Sequence, residues 1–215
     1  MTASRPGLRE RKKQATRKAL RDAALRLALE RGPDNVRVDD IAEAAGVSPR
    51  TYNNYFSSRE QAIVAAVTAE REARVAAAVA ARRRPVRLAD AVTEAIVEQY
   101  TEPGDDARDA LLLITTRPAL RDAFLGTAAE IEAPLTAVIA ERIGDTGQHT
   151  AQVLAASVAA AVRVALERWL RPDGTTSPLS ASGLVVPSGS LPGLLRASLA
   201  PLAPALDAAE HRSVS

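Results

Sequence analysis

Apolar positions recur along almost the whole chain with the spacing of an α-helix. At about 3.6 residues per turn, positions i, i+3, i+4 and i+7 share one face. Leu20, Ala23, Ala24 and Leu27 form such a stripe inside a segment that predicts a first helix from Leu8 to Arg31. Gly32 and Pro33 stop it, because glycine accepts the turn after a helix and proline cannot continue one. A short helix is predicted over 38–45, with Ile41, Ala42 and Ala45 inward and Gly46 at its end. Ser48-Pro49 opens a third helix reaching Tyr55, since serine is a favoured N-cap and proline suits the first helical position. After Phe56-Ser57-Ser58, a long helix is expected from Arg59 to about Arg84, closed by Pro85.

The pattern then predicts helix after helix, over 88–100, 105–116, 120–143 and 148–170. Pro134 sits inside the third of these and should bend it. Residues 171–190 carry Pro, Gly, Ser and Thr throughout and predict a long, mobile loop. A last helix begins near Leu191, where Pro201 and Pro204 should kink or end it, and the tail beyond Asp207 is expected to fray. Strand-like alternation is confined to a few residues near Leu184–Val186, and no internal repeat is seen. The expected fold class is all-α, with about nine helices.

Composition narrows what such a bundle can do. Of 215 residues, 47% are hydrophobic, enough for a real core. No run approaches ~18 consecutive apolar residues, so no transmembrane helix is expected. The charged stretch from Arg5 to Arg21 lacks the apolar region of a secretory signal. There are no cysteines and two histidines, His149 and His211. That excludes a disulfide scaffold, a thiol nucleophile, a cysteine-based zinc site and a multi-histidine metal centre. No cofactor is expected. His149 reads as a residue of a polar turn and His211 as part of the tail. Aromatics, at 3%, are too few for a platform that stacks single-stranded bases.

Charge is unevenly placed. Residues 1–60 carry 13 Lys and Arg against 8 Asp and Glu, a net of +5, whereas residues 61–215 are net −3. A basic head on a mildly acidic body suggests that the head meets a polyanion. The preference for Arg over Lys reads as codon bias. The run Arg82-Arg83-Arg84 with Arg87 reads as a solvated helix end before it reads as a second nucleic-acid site.

The chemistry concentrates in residues 36–59, VRVDDIAEAAGVSPRTYNNYFSSR. Two short helices around a glycine turn form a helix-turn-helix, or, on geometry alone, an ordinary helical hairpin of an all-α core. The second helix is capped by Ser48 and polar outside, with Arg50, Thr51, Asn53, Asn54 and Tyr55. Arg and Asn match paired edge groups of guanine and adenine in a major groove about 12 Å wide. Thr and Tyr hydroxyls and a helix N-terminus suit phosphates. Phe56 is expected in the core, and Tyr55 with its ring packed and its hydroxyl exposed.

Residues 13–62 resemble the DNA-binding domain of TetR-type transcriptional repressors. The resemblance rests on Ala24–Gly32 (ALRLALERG), Val38-Asp39-Asp40-Ile41-Ala42, Ala45-Gly46-Val47-Ser48 and Tyr55-Phe56 followed by Ser58-Arg59-Glu60. It implies a DNA-binding domain over 1–58 and a helical ligand-binding and dimerisation domain over 59–210. It also implies phosphate contacts by Thr51, Tyr55 and Arg59, which stands where the family usually has Lys. Base contacts fall to Arg50 and Asn53, with Asn54 beside them, and non-specific phosphate attraction to Lys12, Lys13 and Arg17. Two positions depart from the family. Arg37 replaces a capping Thr, a loss of about 1 kcal/mol, though it can reach a phosphate itself. Ala28 replaces a common Phe.

The resemblance further implies a homodimer joined by the last two long helices and reading a palindromic operator on double-stranded DNA. Small and apolar residues make the pairing plausible: Ala155, Val158, Ala159, Val162, Leu166 and Trp169, then Leu195, Leu199 and Leu202. An unknown hydrophobic small-molecule effector is implied between the middle helices, where it would move the fourth helix and weaken operator binding. Val67, Ile96, Leu112, Phe124 and Ile131 are candidate apolar lining, with Gln99, Tyr100, Thr115 and Thr116 as polar groups. Arg163, in an otherwise apolar run, would pair with Glu167, with an acid elsewhere, or with an acidic ligand. The leading expectation is a cytoplasmic, ligand-released repressor. An activator or a ligand-independent regulator is the alternative. An enzyme lacks any nucleophile–base or phosphate-loop constellation. A membrane partner is not expected either, since the first helix has no aromatic anchor.

Overall fold

The computed structural model describes residues 8–69, 71–101, 113–170 and 190–212, and among these there is helix and no strand. The helices are α1 (Leu8–Arg31), α2 (Val38–Ala44), α3 (Pro49–Tyr52), α4 (Arg59–Thr68), α5 (Arg71–Ala81), α6 (Leu88–Thr101), α7 (Pro118–Gly126), α8 (Glu132–Ile143), α9 (His149–Trp169), α10 (Leu191–Leu199) and α11 (Ala203–Arg212). Residues 113–116 are also helical. The expected loop over 171–190, apart from Ser190, the alternation near Leu184–Val186 and the pocket candidate Leu112 lie outside the described residues. Two compact units emerge, Met1–Thr68 with Asp106–Ala123, and Ala69–Asp105 with Phe124–Ser215.

In the first unit, Leu20, Ala23, Ala24, Leu27 and Ala28 of α1 are buried on one face, as their spacing requires. That face packs on α4, through Ala62, Ile63 and Val64, and on α2, through Ile41 and Ala42. The unit therefore runs through α4 and takes in residues 106–123, whereas the resemblance implies a DNA-binding domain ending at residue 58. The helix expected over 59–84 is also interrupted. It turns at Ala69, and the carbonyl freed there accepts from Arg74 Nη1 at 2.9 Å. Apolar periodicity continues across this break, so the pattern carried no sign of it.

In the second unit, α9 lies against α8 and α10, α5 against α6 and α8, and α6 against α10 and α11. The bend expected at Pro134 appears as a 3₁₀ turn, Thr127–Ile131, just before α8. Proline cannot donate to a carbonyl one turn back, which favours a break there. Gly144 ends α8 with φ +65, a left-handed cap that glycine adopts without strain. Pro201 falls in a 3₁₀ turn, Ala200–Leu202, between α10 and α11.

The tail does not fray at Asp207. Helix α11 continues to Arg212 because its acids are tied to the start of α6. Glu210 accepts from the Leu88 backbone N–H at 2.8 Å and from Arg142 Nε at 2.8 Å. Asp207 accepts from Arg87 at 3.1 Å and from the Ala89 N–H at 3.3 Å. Arg82 pairs with Glu98, Arg84 with Glu210 and Arg87 with Asp90 and Asp207, so three of the four arginines of the run are committed to acids of their own unit.

Two stretches, Pro118–Ile143 and His149–Trp169, are long and apolar enough to cross a membrane by length and composition. The first contains a 3₁₀ turn, and the apolar sides of α8 and α9 are buried against other helices, as in the core of a folded domain.

Candidate nucleic-acid interface

Residues 37–56 are built as two capped helices around one glycine. Arg37 supplies no side-chain cap to α2, but its backbone N–H donates to the Asp40 carboxylate at 2.9 Å. Asp40 thus supplies the reciprocal half of a capping box, and the missing hydroxyl is partly replaced. Gly46, with φ +69, makes the turn between α2 and α3. Ser48 Oγ accepts from the Thr51 N–H at 3.1 Å and lies 2.9 Å from the Thr51 hydroxyl.

Regular helix covers only Pro49–Tyr52, shorter than the expected 48–55. The path continues in turns, with Asn53 N–H bonded to Pro49 O, Asn54 N–H to Thr51 O and Tyr55 N–H to Tyr52 O. Helical spacing therefore still holds for side chains. Arg50, Asn53 and Asn54, at i, i+3 and i+4, share a face and are all exposed. Tyr52 and Phe56, also one turn apart, are buried on the other side.

Tyr52 is the fastener that the sequence reading missed. Its ring is fully buried, lies 5.8 Å from that of Phe56, and its hydroxyl donates to the Ser58 carbonyl at 2.7 Å. Burial, reinforced by the Glu60 carboxylate, pushes its hydroxyl up to about 12. The alternation of buried Tyr52 and Phe56 with exposed Arg50, Asn53 and Asn54 was the available signal. Phe56 is in the core as expected, and Tyr55 is half-buried.

Arg59 is turned inward. Its Nη1 donates to the carbonyls of Val36 at 2.9 Å and Asp34 at 3.1 Å, and its Nε to Glu60 at 2.7 Å. The residue expected on a phosphate instead ties the start of α4 to the segment entering α2. Partial burial opposes the Glu60 carboxylate, but hydrogen bonds from Arg59, its own backbone N–H and Ser58 outweigh that and hold it below the usual carboxylate range.

Arg17 lies over the Phe56 ring at 5.5 Å. Lys12, Lys13, Arg37 and Arg50 are exposed, and among the described residues their side chains make no ion pair. The face formed by α3 thus carries two amides and a free guanidinium, beside unpaired cations on α1 and at the start of α2. Such a surface can offer bidentate donors to base edges and charge to a phosphate backbone.

The candidate effector and interface residues separate differently from expectation. Ile96, Tyr100, Phe124 and Ile131 are buried in the second unit, and Gln99 accepts from Arg74 Nε at 2.9 Å. Val67, Thr115 and the exposed Thr116 belong to the first unit. Arg163 is exposed and bonded to Glu167 at 2.8 Å, the first of the sequence alternatives for it. Ala155, Val158, Ala159, Val162, Leu166, Leu195 and Leu199 are all buried within the protomer, so they form its core and offer no surface to a partner. Trp169 and Leu202 are half-buried. The exposed side of α9 carries Val153, Ala160 and Val164, with half-buried Ala156 and Ser157 between them.

Residues 20–66 match the family model described as bacterial regulatory proteins, tetR family. Residues 86–182 match a model described as MftR C-terminal domain. The chain is 30% identical over 192 residues to the HTH-type transcriptional regulator TcmR of Streptomyces glaucescens, covering 84% of this chain and 85% of that protein. It is 47% identical over 51 residues to the HTH-type transcriptional regulator BetI of Rhizobium meliloti strain 1021, about a quarter of each chain.

Proposed function

The chain belongs to the TetR family of helix-turn-helix transcriptional regulators, and from that premise we propose that it is a cytoplasmic repressor whose homodimer grips a palindromic operator and lets go when a small molecule binds the second unit. The observation that carries the DNA contact is the exposed row Arg50, Asn53 and Asn54, held outward by the Ser48 cap and the buried Tyr52 and Phe56. Arg50 and Asn53 read base edges. Thr51, Tyr55, Arg37, Lys12 and Lys13 attract or touch phosphates. Arg59 acts chiefly through structure, since its Nε and Nη1 are already bonded within the protein.

The dimer forms through the outward side of α9, where Val153, Ala156, Ser157, Ala160 and Val164 leave a small-residue apolar strip uncovered. Small side chains let two helices approach closely, and a two-fold axis makes the same strip serve both protomers. The effector enters the second unit between α5 and α6, beside the buried Tyr100 and Phe124.

Fluorescence anisotropy with DNA from around the protein's own gene tests the DNA reading. Wild type binds in preference to competitor DNA, and Arg50→Ala loses about 1–3 kcal/mol of that preference, as for one bidentate base contact. Equal affinity of wild type for all duplexes would overturn the operator.

A further inference from the structure

Arg71, the first residue of α5, is only 9% exposed. Its guanidinium carbon sits 4.4 Å from the centre of the Tyr100 ring and 5.6 Å from that of Phe124. Those contacts attract the cation but leave Nε and Nη1 without a hydrogen bond. Nε and Nη1 are closed off from solvent with no hydrogen-bond partner, and among the described residues the side chain makes no ion pair. The Tyr100 hydroxyl, buried beside it, also has no partner. Glu72 and Glu130 act on this pair electrostatically without bonding to the guanidinium. Burial holds the Arg71 group below its ordinary value, yet an arginine keeps its proton in a protein.

A buried cation without a counter-charge is costly, and so is a buried hydroxyl without a partner. Here two such donors meet on neighbouring helices within an apolar surround. Ile96 lies one turn from Tyr100 on α6, and Ile131 is buried in the 3₁₀ turn that packs on α5. The phenol oxygen could accept from the guanidinium but is not placed to do so, and neither group carries negative charge, so the partner that would satisfy both is an anionic acceptor.

We infer that Arg71 and Tyr100 form the anchor for an acidic ligand, a carboxylate on an apolar body, whose acid group takes the guanidinium and the phenol while its apolar part lies against Phe124, Ile96 and Ile131. This rests on the effector reading and gives that effector a charge. It replaces Arg163 as the arginine of the site.

The test uses the full-length protein with octanoate, decanoate and cinnamate, each beside its neutral alcohol, read by thermal shift and calorimetry. At least one carboxylate raises the melting temperature of wild type, and its alcohol does so far less. Arg71→Met weakens that carboxylate by about ten- to a hundredfold, the value of hydrogen bonds to a charged group. Arg71→Lys recovers part of it. Without ligand, Arg71→Met melts no lower than wild type, because the unpaired charge is gone. Equal response to acid and alcohol, no response to any of the three acids, or a ligand-free Arg71→Met that is markedly less stable would overturn the anchor. Operator release is scored separately by anisotropy. Binding of the acid through Arg71 without release would overturn the effector reading and leave the anchor standing. Release by the neutral alcohols, unchanged in Arg71→Met, would do the reverse.

Discussion

At the scale of single residues, the decisive groups are those whose hydrogen bonds span long stretches of chain. Tyr52, Arg59 and Glu210 each join segments that the local pattern treats as separate. Glu210 is the clearest case for pH. Its burial opposes the charge, but Arg142, the Leu88 N–H and Arg84 outweigh it and lower its titration point. A carboxyl lowered in the folded state stabilises the protein above the unfolded value near 4.3 and loses that contribution as pH falls below it. Glu210→Gln is therefore expected to cost about 1–3 kcal/mol at neutral pH. Its urea midpoint should also fall less steeply than that of wild type between about pH 5 and pH 3. Parallel pH curves for the two proteins would contradict this.

The same scale shows why Arg71 was hidden. It sits in Glu70-Arg71-Glu72-Ala73-Arg74, a run of charges like those of a solvated face, and only the fold reveals that Arg71 is turned inside. Arg163 is the opposite case: its neighbours are apolar, but its own position on α9 points to solvent, where it makes the Glu167 pair that the spacing allowed.

At the scale of elements, boundaries marked by backbone chemistry were legible. Gly32-Pro33, Gly46, Ser48-Pro49 and Gly144 each end or begin a helix where the sequence places them. The break between α4 and α5 has no glycine or proline, and it was not legible. Gly46 offers the sharpest test. An added Cβ would meet nothing within 4 Å, so Gly46→Ala isolates the cost of a left-handed backbone, about 1–2 kcal/mol. Chemical denaturation should show that loss. An unchanged midpoint would mean the turn between α2 and α3 does not need its positive φ.

At the scale of the whole molecule, the all-α class and the helix-turn-helix followed from periodicity and caps, and family membership from the motif around them. The face of α9 proposed to meet a partner did not. Alanines occur on both its sides, so composition could not tell Ala155 and Ala159, in the core, from Ala156 and Ala160, outside or at the margin. The dimer reading now stands on the outer strip, and Ala160→Glu would place like charges face to face across the two-fold axis.

The central claim is that two copies of the Arg50 face, related by that axis, read one duplex together. Hydroxyl-radical footprinting on the operator measures this most directly. The account predicts two equivalent protected patches on one side of the DNA, centred about one helical turn or a whole multiple of it apart. Both should be lost with Ala160→Glu. A single asymmetric patch, or a pair that persists in an Ala160→Glu monomer, would contradict it.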